Sequence, residues 1–331
     1  MTKASKPTGK AFSTMLLLAA GVAAIPAVGA LLLGLSPTLQ LLSTRTVQAA
    51  AFVHFGIIAW LVALLLVGFA ALRVRRTWVA ALGLPLAAGL VWQLSWIAPF
   101  YRSDQVAHRT PLSVAVINLD WGRGDLDQLI RKIDDADTVV LIEIDHETRA
   151  ELRLRGFARA YPHQVHKGTG AAGTSIYSRL PLDNLGSGGT TFGSPLARIH
   201  HDTGPILLMG VHPVNPMGGR DPWFTDARSL REHIRPHVGE PLVVAGDFNA
   251  IDRHATLRPL LEEDGLSSTA RITGAGLPRT WPTAGPGSRF GPLIGIDHVL
   301  VSPSMTAVSH RQFEIDNTDH AGLWVEVAKR A

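Results

Sequence analysis

Carboxylate, amide and imidazole side chains stand at the ends of short apolar runs in the last two thirds of the sequence. Each run has the length and the β-rich composition of a strand. Strand ends are where α/β folds gather ligand-binding groups, so these polar residues are the candidates for chemistry. In chain order they are Asn118, Asp120, Glu143, His212, Asn215, Asp247, Asn249, Asp297, Asp319 and His320.

Each candidate taken alone also has an ordinary structural interpretation. Asn118 could cap a turn, and the D-x-N from Asp247 to Asn249 could form an Asx-turn. Glu143 could be a surface acid, and His320 could be a satisfied histidine at a strand edge. Together the candidates fall at six strand ends, each belonging to a separate apolar run. Polar residues at so many strand ends are harder to explain by turns alone. The set as a whole therefore indicates a functional site.

The apolar runs predict an α/β domain with two packed sheets. They read LSVAVIN, DTVVLIEI, GTSIYS, PILLMGVH, PLVVAGDF and IDHVLVS. Many are continuous rather than alternating, which indicates strands buried on both faces. Helical patterns cover 125–134 and 222–238, and Asp145 and His146 are interpreted as the start of another helix. Stretches rich in Gly and Pro predict surface loops at 186–195, 213–219 and 274–292.

These fragments, in their order, resemble the endonuclease/exonuclease/phosphatase (DNase I-like) superfamily from about Pro111 to Val327. VINLD resembles its first strand, LIEID the strand with a metal-binding glutamate, and AGDFN its most specific signature. GTSIYSRLPL is similar to its core hairpin, GVHPVN to a strand with phosphate-contacting residues, and IDHVLVS and TDH to its closing motifs. TDH replaces the commoner SDH, and H-P-V-N departs from the family's usual continuation after the histidine. The fold implied for residues 111–331 is a four-layer αββα sandwich.

The resemblance implies a metal-dependent hydrolase of phosphoester bonds. Such a reaction needs a positioned water, a base, and positive charge near the phosphoryl oxygens. Glu143 is expected to hold a hard divalent cation, with Asn118, Asp120 or Asp319 nearby. Because all of these ligands offer oxygen, Mg²⁺ or Mn²⁺ is expected rather than Zn²⁺.

The remaining candidates are expected to act on the water and on the phosphate. By the same resemblance, Asp247 would orient and deprotonate the attacking water. His320 would sit at the scissile phosphate or the leaving group, with its charge favoured by Asp297. Contacts to phosphate oxygens are expected from Asn215, Asn249 and His212.

The first 98 residues predict a membrane anchor. Only 18% of the 331 residues are charged, whereas a soluble domain carries about 25%. Three stretches, 12–35, 49–72 and 79–98, contain no charged residue, and each is long enough to cross a hydrocarbon core of about 30 Å. A cleaved signal peptide is the alternative for the first stretch, and residues 99–110 are predicted to form a linker.

The chain has no cysteine, which excludes disulfides, thiolate metal sites and a cysteine nucleophile.

The basic residues of the anchor predict its orientation. Lys3, Lys6 and Lys10 precede the first stretch, and Arg73, Arg75 and Arg76 lie between the second and third. The connector between the first and second stretches has only Arg45. Because basic loops stay in the cytoplasm, we expect a multi-pass protein of the cell membrane. Its N-terminus is expected inside, and everything after Ala98 outside.

Charge also bears on the substrate. Residues 102–331 contain 24 basic and 27 acidic residues, a net charge of −3, which disfavours wide contact with a nucleic-acid backbone. Three spans followed by this domain resemble the actinobacterial VanJ-type membrane proteins associated with teicoplanin resistance. That resemblance implies a polyprenyl pyrophosphate or another phospholipid of the cell envelope as substrate. A tethered nuclease acting on nucleic acid and a non-catalytic binding module are the alternatives, and no protein partner is predicted.

The orientation can be tested with fusions to a reporter that is active only outside the cytoplasm. A fusion after Arg102 should be active, and a fusion after Arg76 should be silent, because the two positions lie on opposite sides of the third stretch. The reverse pattern would place the C-terminal domain in the cytosol and would remove the argument for an envelope lipid.

Overall fold

The structure, a computed structural model, describes residues 9–104 and 106–331. The chain divides after Ala98 into two units, which are considered separately. Lys3 and Lys6, which contribute to the predicted orientation, lie outside the described residues.

The first unit is helical. Three helices are long and apolar enough to cross a membrane, over Ala11–Leu35, Val53–Val74 and Thr77–Tyr101. They confirm the three predicted spans, with the second beginning four residues later than 49–72 and the third extending to either side of 79–98. The helices are α1 (Gly9–Leu35), α2 (Pro37–Gln40), α3 (Thr44–Ala50), α4 (Gly56–Val74), α5 (Thr77–Ala81) and α6 (Gly83–Ile97).

Packing inside the first unit follows the rules of helices in lipid. Large apolar side chains such as Leu65 and Leu72 point outward, 73% and 77% exposed, as expected of surfaces that face acyl chains. Between α4 and α6, the indole Nε1 of Trp60 donates to Oε1 of the buried Gln93 at 2.7 Å. A polar pair of this kind joins two helices where lipid offers no hydrogen-bonding partner.

The second unit is built on two mixed six-stranded sheets. The first has the order β11-β12-β1-β2-β4-β3 and the second β5-β6-β7-β8-β10-β9. The pairs β1–β2 and β7–β8 are parallel, and the other neighbours are antiparallel. The strands are β1 (Leu112–Asn118), β2 (Thr138–Ile142), β3 (His163–Lys167), β4 (Thr174–Ser178), β5 (Leu182–Ser187), β6 (Pro195–Ile199), β7 (Ile206–Val211), β8 (Leu242–Asp247), β9 (Ser267–Ser268), β10 (Asp297–Val301), β11 (Met305–Phe313) and β12 (Gly322–Lys329).

Helices flank the sheets, which confirms the predicted sandwich. One core lies between the two sheets and includes Val114 and Leu208, and a second lies between the first sheet and its helices and includes Ile117 and Leu129. The alternation of β1 between these two cores explains why its sequence is apolar throughout. The helices are α7 (Leu126–Lys132), α8 (His146–Leu154), α9 (Phe157–Ala160), α10 (Arg220–Ile234), α11 (Arg258–Glu262) and α12 (Thr269–Thr273).

The predicted hairpin GTSIYSRLPL is wrong. β4 pairs with β2 and β3 in the first sheet, whereas β5 pairs with β6 in the second. The chain turns between sheets because Ser178 Oγ accepts from the Leu180 amide at 3.0 Å, and Leu180 and Leu182 then pack on the core between the sheets. The strands that the sequence did not predict are mostly edge strands, whose polar residues face solvent.

The segment predicted as a linker, 99–110, is not free over its described length. Phe100 is 2% exposed, and its carbonyl accepts from the Gly276 amide at 2.7 Å. The Asp104 amide donates to the carbonyl of Ile272 at 2.8 Å, and the Arg109 amide to that of Lys329 at 2.9 Å. The segment packs on the domain because Phe100 gains burial there and the backbone groups find partners.

Candidate active site

Residues from both sheets meet at one end of the sandwich. Asn118 ends β1 and Glu143 follows β2 in the first sheet, while in the second sheet Asp247 ends β8 and pairs in register with Asp297, which begins β10. The Asn118 amide nitrogen donates to Glu143 Oε1 at 3.1 Å and to Asp247 Oδ2 at 3.2 Å. One amide group therefore joins the acidic residues of the two sheets.

His320, which precedes β12, completes this cluster. Its Nδ1 lies 2.9 Å from Asp297 Oδ2, and its Nε2 lies 3.7 Å from both Asp247 Oδ2 and Asp319 Oδ1. His320 is 5% exposed, and Asp247 and Asp297 are each 1% exposed. The second oxygen of Asp297, Oδ1, is buried and has no hydrogen-bonding partner among the described residues. The Asp297 carboxylate therefore holds the imidazole in one orientation.

The buried charges shift each other's pKa values. Burial, followed by the charge of Asp297, raises the pKa of Asp247 to about 7. Burial by itself lowers the pKa of His320, but the carboxylates of Asp297 and Asp247 outweigh it and raise that pKa to about 10. Burial also raises the pKa of Glu143. At neutral pH the cluster thus holds a charged imidazole beside a carboxylate whose pKa suits proton transfer.

His212, which follows β7, is fully enclosed behind this cluster. Its Nδ1 donates to the carbonyl of Ala171 at 3.1 Å, and its Nε2 lies 3.7 Å from both Glu143 Oε1 and Asp247 Oδ2. Burial, followed by the charge of His320, lowers the pKa of His212 to about 4. A neutral imidazole that donates from Nδ1 can only accept at Nε2. In this state His212 is arranged to accept a hydrogen bond rather than to donate one to a phosphate oxygen.

The D-x-N of β8 does form an Asx-turn, and it still contributes to the site. Asp247 Oδ1 accepts from the Asn249 amide at 2.8 Å, which leaves Oδ2 facing the cluster. The side-chain nitrogen of Asn249 donates to the carbonyl of Pro213 at 3.0 Å. Asn249 and Glu143 have φ angles of 49° and 55°, the left-handed region that costs a residue such as Glu about 1–3 kcal/mol. The fold therefore accepts backbone strain to aim the Glu143 carboxylate.

Two predicted residues lie at the margin of the cluster. Asp120 is half-buried, its Oδ2 pairs with Arg123 Nη1 at 3.1 Å, and its amide donates to Asn118 Oδ1 at 3.0 Å. Asp319 is about one third exposed, and its Oδ2 accepts from the indole of Trp281 at 2.8 Å. Because Asn118 turns its oxygen to Asp120 and its nitrogen to Glu143, it presents no oxygen toward Glu143 in this conformation.

The structure does not join Asn215 to the cluster. Its side chain is exposed, and its Oδ1 caps a short 3₁₀ turn by accepting from the Met217 amide at 3.0 Å. The prediction for Asp145 and His146 is confirmed, since Asp145 is the N-cap of α8 and accepts from the Thr148 amide at 2.7 Å.

Three positioning residues were missed from the sequence. Thr280 Oγ1 accepts from the amides of Ile296 and Asp297 at 3.1 and 3.2 Å, and Trp281 holds Asp319. Thr280 and Trp281 lie in the predicted surface loop 274–292, where the triplet Thr-Trp-Pro was the sequence feature that could have drawn attention to them. Thr318 Oγ1 donates to the carbonyl of Asn118 at 2.7 Å and accepts from the His320 amide at 3.2 Å. A serine could do the same, which explains why TDH can replace SDH.

The donor set fits a hard divalent cation. Carboxylate oxygens of Asp247 and Asp297 lie within 4.8 Å of each other and of a His320 ring nitrogen, but the His320 imidazolium has no lone pair to give to a cation, so the carboxylates are the candidate ligands. Glu143 is joined to Asp247 by the Asn118 amide, which donates to both carboxylates. The ligands are mostly carboxylate oxygens, which Mg²⁺ and Mn²⁺ prefer, and Asp297 Oδ1 still lacks a partner among the described residues.

Comparison with known proteins agrees with this geometry. The Endonuclease/Exonuclease/phosphatase family matches residues 115–320. No curated protein matches the chain. A humanized D. rerio TDP2 is 16% identical with a TM-score of 0.53, covering 66% of this chain and 99% of its own. The 3′ phosphatase NExo from Neisseria is 20% identical with a TM-score of 0.52, covering 65% and 98%. An AP endonuclease from Archaeoglobus fulgidus is 16% identical with a TM-score of 0.52, also covering 65% and 98%.

The Asp297–His320 pair can be tested through the pH dependence of hydrolysis. In Asp297→Asn, the carboxylate that raises the pKa values of His320 and Asp247 is gone, so both pKa values should fall. The alkaline limb of the rate profile, where His320 loses its proton, should move to lower pH by about one unit or more. The acidic limb, where Asp247 gains its proton, should also move to lower pH, because the pKa of Asp247 falls when the charge of Asp297 is removed. A water-soluble ester such as bis(p-nitrophenyl) phosphate can serve as substrate.

The matched control for this variant is Asp183→Asn. Asp183 also pairs with a histidine, His200, at 3.0 Å, but both side chains are about half exposed and belong to other parts of the domain. Its rate profile should equal that of the wild type. An alkaline limb that stays in place in Asp297→Asn would show that Asp297 does not control the charge of His320.

Proposed function

This chain belongs to the endonuclease/exonuclease/phosphatase family of metal-dependent phosphohydrolases, and we propose that it hydrolyses a phosphoester or phosphoanhydride bond of a lipid-linked substrate. The observation that carries the hydrolytic part is the buried cluster of Asp247, Asp297 and His320, joined to Glu143 through Asn118. We further propose that the catalytic domain lies outside the cytoplasm.

The cluster supplies the groups that hydrolysis needs. Asp247 Oδ2, with a pKa of about 7, takes a proton from the attacking water, while Oδ1 stays engaged with the Asn249 amide. The imidazolium of His320, held by Asp297, stabilises negative charge on the phosphoryl oxygens or the leaving group. Glu143, together with neighbouring carboxylates, would hold Mg²⁺ or Mn²⁺. When bound, such a cation supplies further positive charge at the phosphate.

Phosphate contacts are proposed from the two asparagines. Asn249 uses one N–H of its amide on Pro213, and the second N–H is proposed to bind a phosphate oxygen. Asn215 uses its oxygen to cap a turn, so its exposed nitrogen can donate to a bound substrate. His212 is proposed to accept at Nε2 from Asp247 while that carboxyl is protonated, because Nε2 lies 3.7 Å from Asp247 Oδ2 and the Asp247 pKa is raised to about 7.

Exposed apolar side chains on the active-site loops support a lipid-linked substrate. Trp121 follows β1, Met217 follows β7 and Phe290 precedes β10, and they are 57%, 77% and 85% exposed. These are the loops that continue from the strand ends carrying Asn118, His212 and Asp297. Apolar side chains beside a phosphate site suit a substrate that has both a phosphate and a hydrocarbon part. Three candidate membrane spans in the same chain also support a substrate that resides in a membrane.

A tethered nuclease is the second candidate. Two of the similar structures, D. rerio TDP2 and Neisseria NExo, were solved with DNA products. The net charge of −3 over residues 102–331 weighs against extended binding of nucleic acid. A non-catalytic module is not supported, because Glu143, Asp247 and His320 are all present. Glu143 and Asp247 each lie 3.7 Å from His212 Nε2, and Asp247 also lies 3.7 Å from His320 Nε2.

The roles of the site residues predict distinct kinetic defects. Asp247→Asn and His320→Ala should each lower turnover by about 10²–10⁴-fold with the fold intact, since each removes a positioned acid or base. Glu143→Gln should instead raise the Mg²⁺ concentration needed for half-maximal rate. Turnover of bis(p-nitrophenyl) phosphate against Mg²⁺ measures both effects. Asp127→Asn, at an exposed residue that pairs with Arg155, should match the wild type. A Glu143→Gln enzyme with unchanged metal dependence would show that this ligand is assigned wrongly.

The substrate class predicts a dependence on the bilayer. Full-length protein in lipid nanodiscs should hydrolyse a polyprenyl pyrophosphate at a rate well above its rate on plasmid DNA at moderate salt. The screen should include phosphatidylinositol phosphates and sphingomyelin, with Asp247→Asn as the inactive control. Robust DNA cleavage without activity on any lipid phosphate would contradict the lipid proposal and favour the nuclease. Phosphodiester hydrolysis as such would still stand.

A further inference from the structure

A groove of about 510 Å³ lies on the catalytic domain outside the active-site cluster, and we call it the exit groove. One wall is formed by the first residues of the domain, which include Pro99 and Arg102. The other wall comes from the segment between α11 and α12 and from α12 itself, and it includes Leu266, Ser267, Ser268 and Arg271. None of the residues of the cluster lines the groove.

The two walls are fixed to each other by backbone contacts. The backbone amide of Asp104 donates to the carbonyl of Ile272 at 2.8 Å, and the amide of Gly276 donates to the carbonyl of Phe100 at 2.7 Å. Gly274, with φ of 67°, lets the chain pass so closely that a Cβ there would lie 2.8 Å from the Ser103 nitrogen. The groove is therefore a built feature of the domain rather than a gap beside a loose segment.

The charged residues that line the exit groove are Arg102, Arg271 and Asp104, so its net charge is positive. The Arg271 guanidinium lies over the Phe100 ring, 5.2 Å from its centroid. In the described part of the chain, neither Arg271 nor Arg102 has a carboxylate within ion-pair distance, although Asp104 also lines the groove. The guanidinium groups of these two arginines, together with the hydroxyl of Ser267 in the same groove, offer donors that match the oxygens of a phosphate group.

The position of the groove along the chain identifies the source of that phosphate. The third candidate span ends at Tyr101, and Arg102 is the next residue. Because one residue covers at most about 3.6 Å, Arg102 lies within that distance of the end of the span. The end of a span is expected at the headgroup layer, so Arg102 is expected at that depth. The abundant anions at that depth are lipid phosphates. Leu261, which is half-buried, adds apolar surface to the same groove.

We propose that the exit groove binds the headgroup phosphate of an anionic phospholipid through Arg102 and Arg271. This site is distinct from the active site and does not depend on the substrate proposed above. A lipid held there would tie the first residues of the catalytic domain to the membrane surface.

Native mass spectrometry of the full-length protein tests the proposal. The protein is released from nanodiscs that contain equal parts of phosphatidylglycerol and phosphatidylcholine, with EDTA present so that metal at the active site plays no role. The wild type should retain phosphatidylglycerol in preference to phosphatidylcholine. The double variant Arg102→Gln/Arg271→Gln should lose at least about tenfold of that retention, because it removes both charged donors to the phosphate.

Two further variants separate charge at the groove from charge in general. Arg131→Gln/Lys132→Gln removes the same charge from exposed residues of α7 and should retain the lipid like the wild type. Arg102→Lys/Arg271→Lys keeps the charge and should restore part of the binding. If the glutamine variant is unstable, the wild type alone gives the test, because its thermal midpoint should rise with the fraction of phosphatidylglycerol. A midpoint that is the same in pure phosphatidylcholine would overturn the proposal.

Inorganic phosphate distinguishes a lipid from a soluble anion. If millimolar phosphate binds with the same arginine dependence while no lipid is retained, the lipid assignment is wrong. Equal retention of phosphatidylglycerol by the wild type and by Arg102→Gln/Arg271→Gln would also overturn it. Neither result affects the proposed hydrolysis, which is read from turnover at Asp247 and His320.

Discussion

Mutual repulsion among buried carboxylates is the constraint around which the catalytic domain is arranged. Asp247 and Asp297 face each other in register on neighbouring strands, both almost fully buried, and Glu143 approaches from the other sheet. Uncompensated buried charges of one sign are costly. The protein offsets this cost with the amide of Asn118, which donates to carboxylates of both sheets, and with the imidazolium of His320. The same arrangement leaves a base and a cation side by side, which is what phosphoester hydrolysis requires.

Strand ends suit this chemistry because a side chain there can serve the turn and the site together. Asp247 uses one carboxylate oxygen for its Asx-turn and the other for the cluster. Asn118 caps the Asp120 amide with its oxygen and bridges the sheets with its nitrogen. Thr318 ties the His320 backbone to the end of β1. Each group is held by the turn it makes, so little conformational entropy remains to be lost when substrate binds.

The passage from anchor to domain is more ordered than its composition indicates. With Phe100 buried and Asp104 bonded to the backbone of α12, the first residues after the anchor are part of the domain, and the residues from 99 to 104 do not act as free tether. The exit groove is a product of that docking, since one of its walls is the docked segment. The loop from Gly276 continues to Thr280 and Trp281, which hold Asp297 and Asp319. The start of the domain and its active site are thus connected through one loop.

Local patterns were sufficient for much of this protein. The apolar stretches identify three candidate spans, and continuous β-rich runs identify the central strands, because burial on both faces leaves a direct mark on composition. Most of the polar residues at those strand ends are brought together around Asn118 and His320, whereas Asn215 stays apart. Tertiary structure alone decided that β4 and β5 belong to different sheets and that Thr280 and Trp281 support the site. It also decided that His212 presents an acceptor and that Phe100 docks on the domain. These features depend on contacts between residues far apart in the chain, such as Asn118 and Asp247, and no periodicity in the sequence encodes such a distance.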